Sequence, residues 1–184
     1  MRALDHFSVQ VFSIPLATGT VNINRHEGNT TIATTTMDPR SIVPEDFTKP
    51  MRHALQTSSA VLLAPDIQEK ISLEAIRFLH ETLGIRIMAD IGKYYRVLNA
   101  RNELVPRFPW HDAAMYLKYF STVFVSTEDI QPMTDELGSL DAAVRHLSQF
   151  GTNEVVITCG SKGSFVYSKG ENKTYSVLAL QSVF

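Results

Sequence analysis

Short apolar runs alternate with amphipathic segments in the second part of the sequence, and this alternation constrains the fold more than any other feature. Runs typical of buried strands lie at 60–64, 85–89, 122–125 and 155–159. Between them, apolar residues recur at helical spacing, which predicts helices over 67–83, 111–120 and 137–150. Such alternation produces right-handed crossovers and a sheet covered on both faces. We therefore predict a three-layer α/β/α core on a mostly parallel sheet, with an antiparallel edge over 164–168 and 173–180.

The residues before this core predict a β-rich appendage. Residues 1–37 are rich in Val, Ile, Thr and Phe, and turn signals divide them into strands over 6–14, 20–24 and 29–36. Residues 38–54 contain three prolines and predict a connection with a single helical turn. We therefore divide the chain into a lid-like hairpin segment with its connection, residues 1–54, and an incomplete α/β core, residues 55–184.

Composition excludes several classes of function. The 184 residues carry a formal net charge of −2, and their Lys and Arg residues are scattered, which argues against binding to nucleic acid. No apolar run approaches the ~20 residues that span a bilayer, so we expect no membrane association. Cys159 is the single cysteine, which precludes an internal disulfide and suits the reducing cytoplasm.

Ligands of parallel α/β sheets bind beyond the carboxyl ends of the strands, and one such end carries a glycine-rich turn. The stretch VVITCGSKG runs from a predicted strand into Thr158, Gly160, Lys162 and Gly163. Two glycines allow positive φ angles and a close approach of the backbone, so that successive N–H groups can hold a phosphate, and Lys162 adds charge. The alternative is a tight hairpin that happens to contain two glycines.

Two other strand ends carry polar residues. Ser126 and Glu128 follow the third apolar run, where a carboxylate could order hydrated Mg²⁺, or where both residues could belong to a helix N-cap. Asp90 and Arg96 follow the second run, where an Asp could bind a sugar hydroxyl and an Arg a phosphate. A loop ion pair is the alternative for these two residues.

Taken together, residues 60–183 resemble the ribokinase-like (PfkB-type) carbohydrate kinases. The resemblance rests on VLLAPDI, IRIMADIGKYYR, TVFVSTEDI and EVVITCGSKGSFVYSKGENKTYSVLALQSV, in that order. TVFVSTEDI resembles the strand that ends in the family's N-x-x-E element, although Val125 stands at the Asn position. The last stretch resembles the segment with the T-x-G-x-x-G nucleotide loop and its following hairpin.

The resemblance implies an ATP-dependent phosphotransferase acting on an alcohol group of a sugar or nucleoside. Thr158, Gly160, Lys162, Gly163 and Ser126 would bind ATP, Glu128 would act near Mg²⁺, and Asp90 and Arg96 would contact the substrate. The family's G-A-G-D element, which supplies the catalytic Asp, would begin where the sequence ends, and the early sugar-binding portion also has no counterpart. We therefore expect a chain truncated at both ends, without catalytic residues of its own and with negligible turnover.

Two other interpretations remain open. The chain could be a non-catalytic α/β module that binds a nucleotide or a partner, including a second copy of itself through an exposed sheet edge. It could also be an unrelated α/β domain in which the glycine loop is only a turn.

Overall fold

The computed structural model describes residues 12–14, 21–27, 30–36, 40–65, 70–98, 104–171 and 173–178. Strands β1 (Val21–Glu27) and β2 (Thr30–Thr36) form an antiparallel hairpin in which Val21 pairs with Thr36 and Glu27 with Thr30. This confirms the predicted hairpin. The strand predicted over 6–14 lies almost wholly outside the described residues, and the proposed division at residue 54 stays a prediction.

The core is a six-stranded mixed sheet, as predicted. Its parallel strands are β3 (Val61–Leu63), β4 (Ile87–Asp90), β7 (Phe120–Ser126) and β8 (Glu154–Thr158). Two antiparallel strands follow, β9 (Ser164–Ser168) and β10 (Lys173–Val177), and the order across the sheet is β10-β9-β8-β7-β4-β3. A second small hairpin, which is not among the predicted elements, consists of β5 (Arg96–Leu98) and β6 (Leu104–Pro106).

Five α-helices accompany these strands among the described residues. They are α1 (Lys49–Gln56), α2 (Leu73–Arg77, continued by a π-helical turn over Phe78–Thr82), α3 (Ala113–Leu117), α4 (Gln131–Leu137) and α5 (Leu140–Ser148). Within the part of the chain that the structure describes, no helix has the length and apolar character needed to cross a membrane.

Local hydrogen bonds explain where the helices differ from the predicted bounds. α2 begins later than residue 67, because Ile71 bridges Ile42 and the Ser72 hydroxyl accepts a hydrogen bond from the Ala75 N–H at 3.1 Å. The single helix predicted over 137–150 is wrong at its start, because Gly138 has a φ of +81° and ends α4. Ser139 then caps α5 by accepting a hydrogen bond from the Ala142 N–H at 3.1 Å.

β7 is the centre of the core, because it pairs in parallel with both β4 and β8. The strands contribute fully buried Ile87, Ala89, Val123, Val155 and Ile157. The helices pack Ile76, Leu79, Leu117, Ala143 and Leu147 against them, also with no more than 1% of their surface exposed. This packing holds the strand ends in a fixed register, and the candidate site depends on that register.

Candidate functional site

Three strand ends that carry polar residues meet at one edge of the sheet. Asp90, the last residue of β4, pairs in register with Phe124 of β7, and Ser126, the last residue of β7, pairs with Thr158 of β8. Backbone hydrogen bonds continue past the strands: the Ile91 N–H donates to the Phe124 carbonyl at 2.8 Å, and the Thr127 N–H donates to the Thr158 carbonyl at 3.0 Å. The loops that follow the three strands are therefore held side by side.

The glycine-rich loop after β8 folds as a tight turn. Gly160–Lys162 form one turn of 3₁₀ helix, closed by hydrogen bonds from the Lys162 N–H to the Cys159 carbonyl and from the Gly163 N–H to the Gly160 carbonyl, both at 3.1 Å. As at the start of any helix, the first N–H groups, those of Gly160 and Ser161, have no acceptor within the turn. They can therefore bind an anion, and the exposed Lys162 lies at the end of the same turn.

Both glycines are needed for this conformation. Gly160 has a φ of +56°, and Gly163 has a φ of +94° with a ψ of −135°, a combination that essentially only glycine adopts. The Gly163 carbonyl accepts the Cys159 N–H at 2.8 Å, so the turn leads directly back into β9. Thr158 is exposed at the entrance of the turn. The loop is thus a tight hairpin whose first N–H groups can also bind a phosphate. The hairpin and the phosphate-binding turn are therefore not exclusive interpretations of the sequence.

Glu128 lies at the same edge as this turn. Its side chain is exposed, and it is close enough to Cys159 for their charges to interact. Burial raises the pKa of the Cys159 thiol, the Glu128 carboxylate raises this pKa further, and Lys162 lowers it. β7 and β8 thus bring the Glu128 carboxylate, the Lys162 ammonium group and the first N–H groups of the turn to the same edge of the sheet.

Asp129, which was not among the predicted site residues, organises the neighbouring loop. Its carboxylate accepts a hydrogen bond from Arg96 Nε at 2.5 Å and from Ser126 Oγ at 2.8 Å. The Asp129 N–H also donates to Ser126 Oγ at 3.1 Å, which is the local capping pattern of a Ser followed three residues later by an acid. The Ser-x-x-Asp spacing of Ser126 and Asp129 is visible in the sequence and indicates this capping bond. Nothing in the sequence indicates the contact between Asp129 and Arg96.

The Arg96 side chain is therefore occupied, and its partner is not Asp90. Only 18% of the Arg96 side chain and 12% of the Asp129 side chain are exposed. Asp90 is exposed, and one of its carboxylate oxygens accepts the Gly92 N–H at 3.0 Å. Gly92 is buried between the two acids, and a Cβ added there would overlap the Asp129 carboxylate. The β4 and β7 loops are thus packed directly against each other.

No cluster of three or more His, Cys, Asp or Glu side chains suited to a metal ion occurs among the residues with described positions. Glu128 is a single exposed carboxylate. Mg²⁺ usually keeps several waters and binds through one or two carboxylates together with substrate phosphates. The site therefore fits a Mg²⁺ ion that arrives with phosphate groups, and it does not fit a metal held by protein ligands alone.

Similarity to known proteins was found at the level of structure. No protein-family model matches the sequence, and no curated protein matches it. Among solved structures, the chain is similar to a pyrophosphate-dependent kinase of the ribokinase family in a sulfate complex, with a TM-score of 0.68 and 20% identity over 88% of this chain and 54% of that one. The pyrophosphate-dependent kinase of this family in complex with a pyrophosphate analog and myo-inositol gives a TM-score of 0.64, also at 20% identity, over 88% and 53% of the two chains.

Arabidopsis thaliana ribokinase, complexed with ribose and ATP, is a third similar structure. Its TM-score is 0.55 at 17% identity, over 77% of this chain and 42% of that one. The chain therefore has the ribokinase-like α/β fold, as its sequence predicted. It spans about half the length of the kinases whose structures it matches.

Proposed function

We propose that this chain carries the phosphoryl-donor-binding part of a kinase that phosphorylates an alcohol group of a sugar or nucleoside. The observation that supports this most directly is the register of β7 with β8. Ser126 pairs with Thr158, so the Glu128 loop and the Thr158–Gly163 turn lie next to each other at the carboxyl edge of a ribokinase-like sheet.

The donor would bind through its phosphate groups. The N–H groups of Gly160 and Ser161 and the ammonium group of Lys162 supply hydrogen bonds and positive charge, and Thr158 lies exposed beside them. Glu128 would hold Mg²⁺, which when bound neutralises charge on the phosphates. This chemistry recognises a diphosphate unit, which ATP and inorganic pyrophosphate share, so both are candidates.

Asp90 and Arg96 would have different roles on the acceptor side. One Asp90 oxygen accepts the Gly92 N–H, which leaves the other available to a sugar hydroxyl. Arg96 is bound to Asp129 and would act by positioning the loop rather than by touching the substrate. Ser126 likewise contributes through its hydrogen bond to Asp129.

We expect negligible phosphoryl transfer by this 184-residue chain itself. Its sequence contains no G-A-G-D stretch and therefore no counterpart of the family's catalytic Asp. Loss of a general base typically lowers a rate by ~10²–10⁴-fold. Binding of the donor depends on the turn and does not require that base, and the single cysteine suits a cytoplasmic location.

Calorimetric titration with Mg-ATP, Mg-ADP and Mg-pyrophosphate tests the proposal. We expect saturable binding at millimolar or lower concentration, with affinity reduced at least about tenfold in Lys162→Gln and in Gly163→Ala. Lys49→Gln, an exposed lysine at the start of α1, is the matched control and should bind as the unmodified chain does. Absence of heat with all three ligands would remove the proposed donor site.

A coupled assay with a panel of sugars and nucleosides separates binding from catalysis. Donor binding without turnover is the expected result, and it also characterises a non-catalytic module. That second candidate is favoured by one observation: the edge strand β3 exposes 56% of Leu62, which is available to a partner chain. Turnover above background would contradict the expected inactivity.

A further inference from the structure

A cleft of ≈ 490 Å³ lies at the opposite edge of the sheet, where β4 and β7 begin. Its volume falls within the range of about 300–1,000 Å³ that is typical of small-molecule sites. The side chains with polar groups that line it are His80, Arg86, Lys118, Tyr119, Ser121 and Asn153, and none of the described lining residues is acidic. The cleft is far along the strands from the Thr158–Gly163 turn, so it is separate from the proposed donor site.

Arg86 is held in place by contacts that occupy only part of its guanidinium group. Its Nε donates to Ser121 Oγ at 3.1 Å, and Ser121 Oγ donates in turn to the Ile87 carbonyl at 2.9 Å. Arg86 Nη2 lies 3.6 Å from the Glu154 carboxylate, in a pair whose side chains are 56% and 45% exposed. Such an exposed pair is weak, so Arg86 keeps most of its attraction for an anion.

Lys118 supplies a second positive charge without a nearby carboxylate. Its ammonium group lies 4.9 Å from the centre of the Tyr119 ring, and no acidic side chain of the described residues lies within ion-pair distance of it. The Gly151 backbone lies directly against the Lys118 backbone, since a Cβ added to Gly151 would come within 3.2 Å of the Lys118 Cα. Glu81, the other acid of this region, is engaged by the Tyr119 hydroxyl at 3.1 Å.

A structural role for Lys118 is the alternative, because it follows the last residue of α3 and a cation there stabilises the helix carbonyls. That role would not explain an open cleft with two cations and neutral hydrogen-bonding groups beside them. The exposed His80 and Asn153 side chains can hydrogen-bond to hydroxyl groups. The combination of two cations with such groups matches a small phosphorylated polyol.

We propose that this cleft is a second ligand site, which binds a phosphate monoester of a small sugar or polyol. Arg86 and Lys118 hold the phosphate by charge-assisted hydrogen bonds. His80 and Asn153 contact the hydroxyl-bearing part of the ligand. The site uses no residue of the proposed donor edge and does not depend on the proposed kinase function.

Titration of the ¹⁵N-labelled chain with ribose 5-phosphate, followed by NMR, tests this proposal. We expect saturable shifts in the amides of residues 84–87, 118–121 and 151–153, and affinity lowered at least about tenfold in Arg86→Gln and in Lys118→Gln. Inorganic phosphate should shift the same amides at higher concentration, and ribose alone should not. Lys162→Gln at the donor edge and Lys49→Gln at α1 should leave these shifts unchanged.

The outcomes distinguish this site from the donor site. Shifts confined to residues 126–129 and 158–163, removed by Lys162→Gln, would overturn the proposal and leave the donor site intact. Equal shifts with ribose and ribose 5-phosphate would also overturn it, as would wild-type affinity in Lys118→Gln. Because Arg86 also holds Ser121, Lys118→Gln decides the matter if Arg86→Gln does not fold.

Discussion

Arg96 and Asp129 form a partly buried ion pair that joins the loop after β4 to the loop after β7, with an Nη2–Oδ1 distance of 2.5 Å. The two residues are 33 positions apart in the sequence. Asp129 is also bound to Ser126, so a single carboxylate connects Arg96 with the end of the central strand. This contact sets the shape of the edge at which the proposed donor site lies.

Breaking this pair should destabilise the protein considerably. Removing one partner of a buried pair typically costs about 3–5 kcal/mol, and the partial exposure here reduces that to about 2–3 kcal/mol. We therefore expect Asp129→Asn to lower the free energy of unfolding by that amount in urea titrations. Arg77→Gln breaks the exposed pair of Arg77 with Glu81, leaves the hydrogen bond from Tyr119 to Glu81 in place and is the control, with an expected loss below about 0.5 kcal/mol. Equal losses of unfolding free energy in both variants would show that the Arg96–Asp129 pair stabilises the fold no more than an exposed ion pair does.

Gly92 should not tolerate a side chain. An added Cβ would overlap the Asp129 carboxylate, so Gly92→Ala would have to push Asp129 away from Arg96. We expect a loss of about 1–3 kcal/mol in the free energy of unfolding, the usual range for overpacking. Gly170→Ala is the matched control, because a Cβ there would meet no atom within 4 Å. A Gly92→Ala protein as stable as the Gly170→Ala protein would argue against the close packing of the two loops.

The pKa of Cys159 should respond to its two charged neighbours in opposite directions. Burial raises this pKa, Glu128 raises it and Lys162 lowers it. At a fixed pH below that pKa, we expect Glu128→Gln to speed alkylation by iodoacetamide, and Lys162→Gln to slow it. The direction of each change follows from the thiolate fraction, which rises as the thiol pKa falls. Rates measured between pH 7 and 9 check this, and unchanged rates would mean that neither charge acts on the Cys159 thiol.

The same shift has a consequence for stability. Because the pKa of Cys159 is higher in the folded chain than in the unfolded chain, the linked stabilisation is complete below the unfolded pKa. It decreases as the pH rises through the folded pKa. Substitution of Cys159 by Ser should therefore remove a small alkaline loss of stability, which urea titrations over the same pH range would measure.

The β3 edge should mediate self-association. Leu62 is 56% exposed, and within the described part of the chain its strand pairs only with β4. We expect the mass measured by light scattering to rise with concentration, and Leu62→Lys to weaken association at least about tenfold, because an edge lysine opposes pairing. Met115→Lys, which changes a residue 49% exposed on α3, should not affect it. A mass of 20.6 kDa at every concentration would exclude this interface.

Local patterns were sufficient to predict most elements of the core. The four apolar runs became the parallel strands β3, β4, β7 and β8. Continuous apolar residues suit the central strands β4, β7 and β8, which are covered on both faces, whereas the expected burial of the first run is wrong in part, because β3 is an edge strand with Leu62 56% exposed. The two glycines after β8 predicted a turn with positive φ angles, and Gly160 and Gly163 both adopt such angles. Helix bounds were less certain, since Ser72 and Ser139 act as caps only once the chain around them has its tertiary path.

The sequence by itself determined the strand–helix alternation and the positions of polar residues at the strand ends, because these follow from local periodicity. The ribokinase-like fold was implied by the resemblance of its motifs to those of that family. Only the tertiary structure decided which polar residues meet. Arg96 could have paired with Asp90 or remained free, and its pairing with Asp129 results from the register of β4 on β7 and from the absence of a side chain at Gly92. The cleft at the opposite edge was likewise invisible beforehand, because Arg86 and Lys118 lie 32 residues apart (118 minus 86) and come together only when two strands pair.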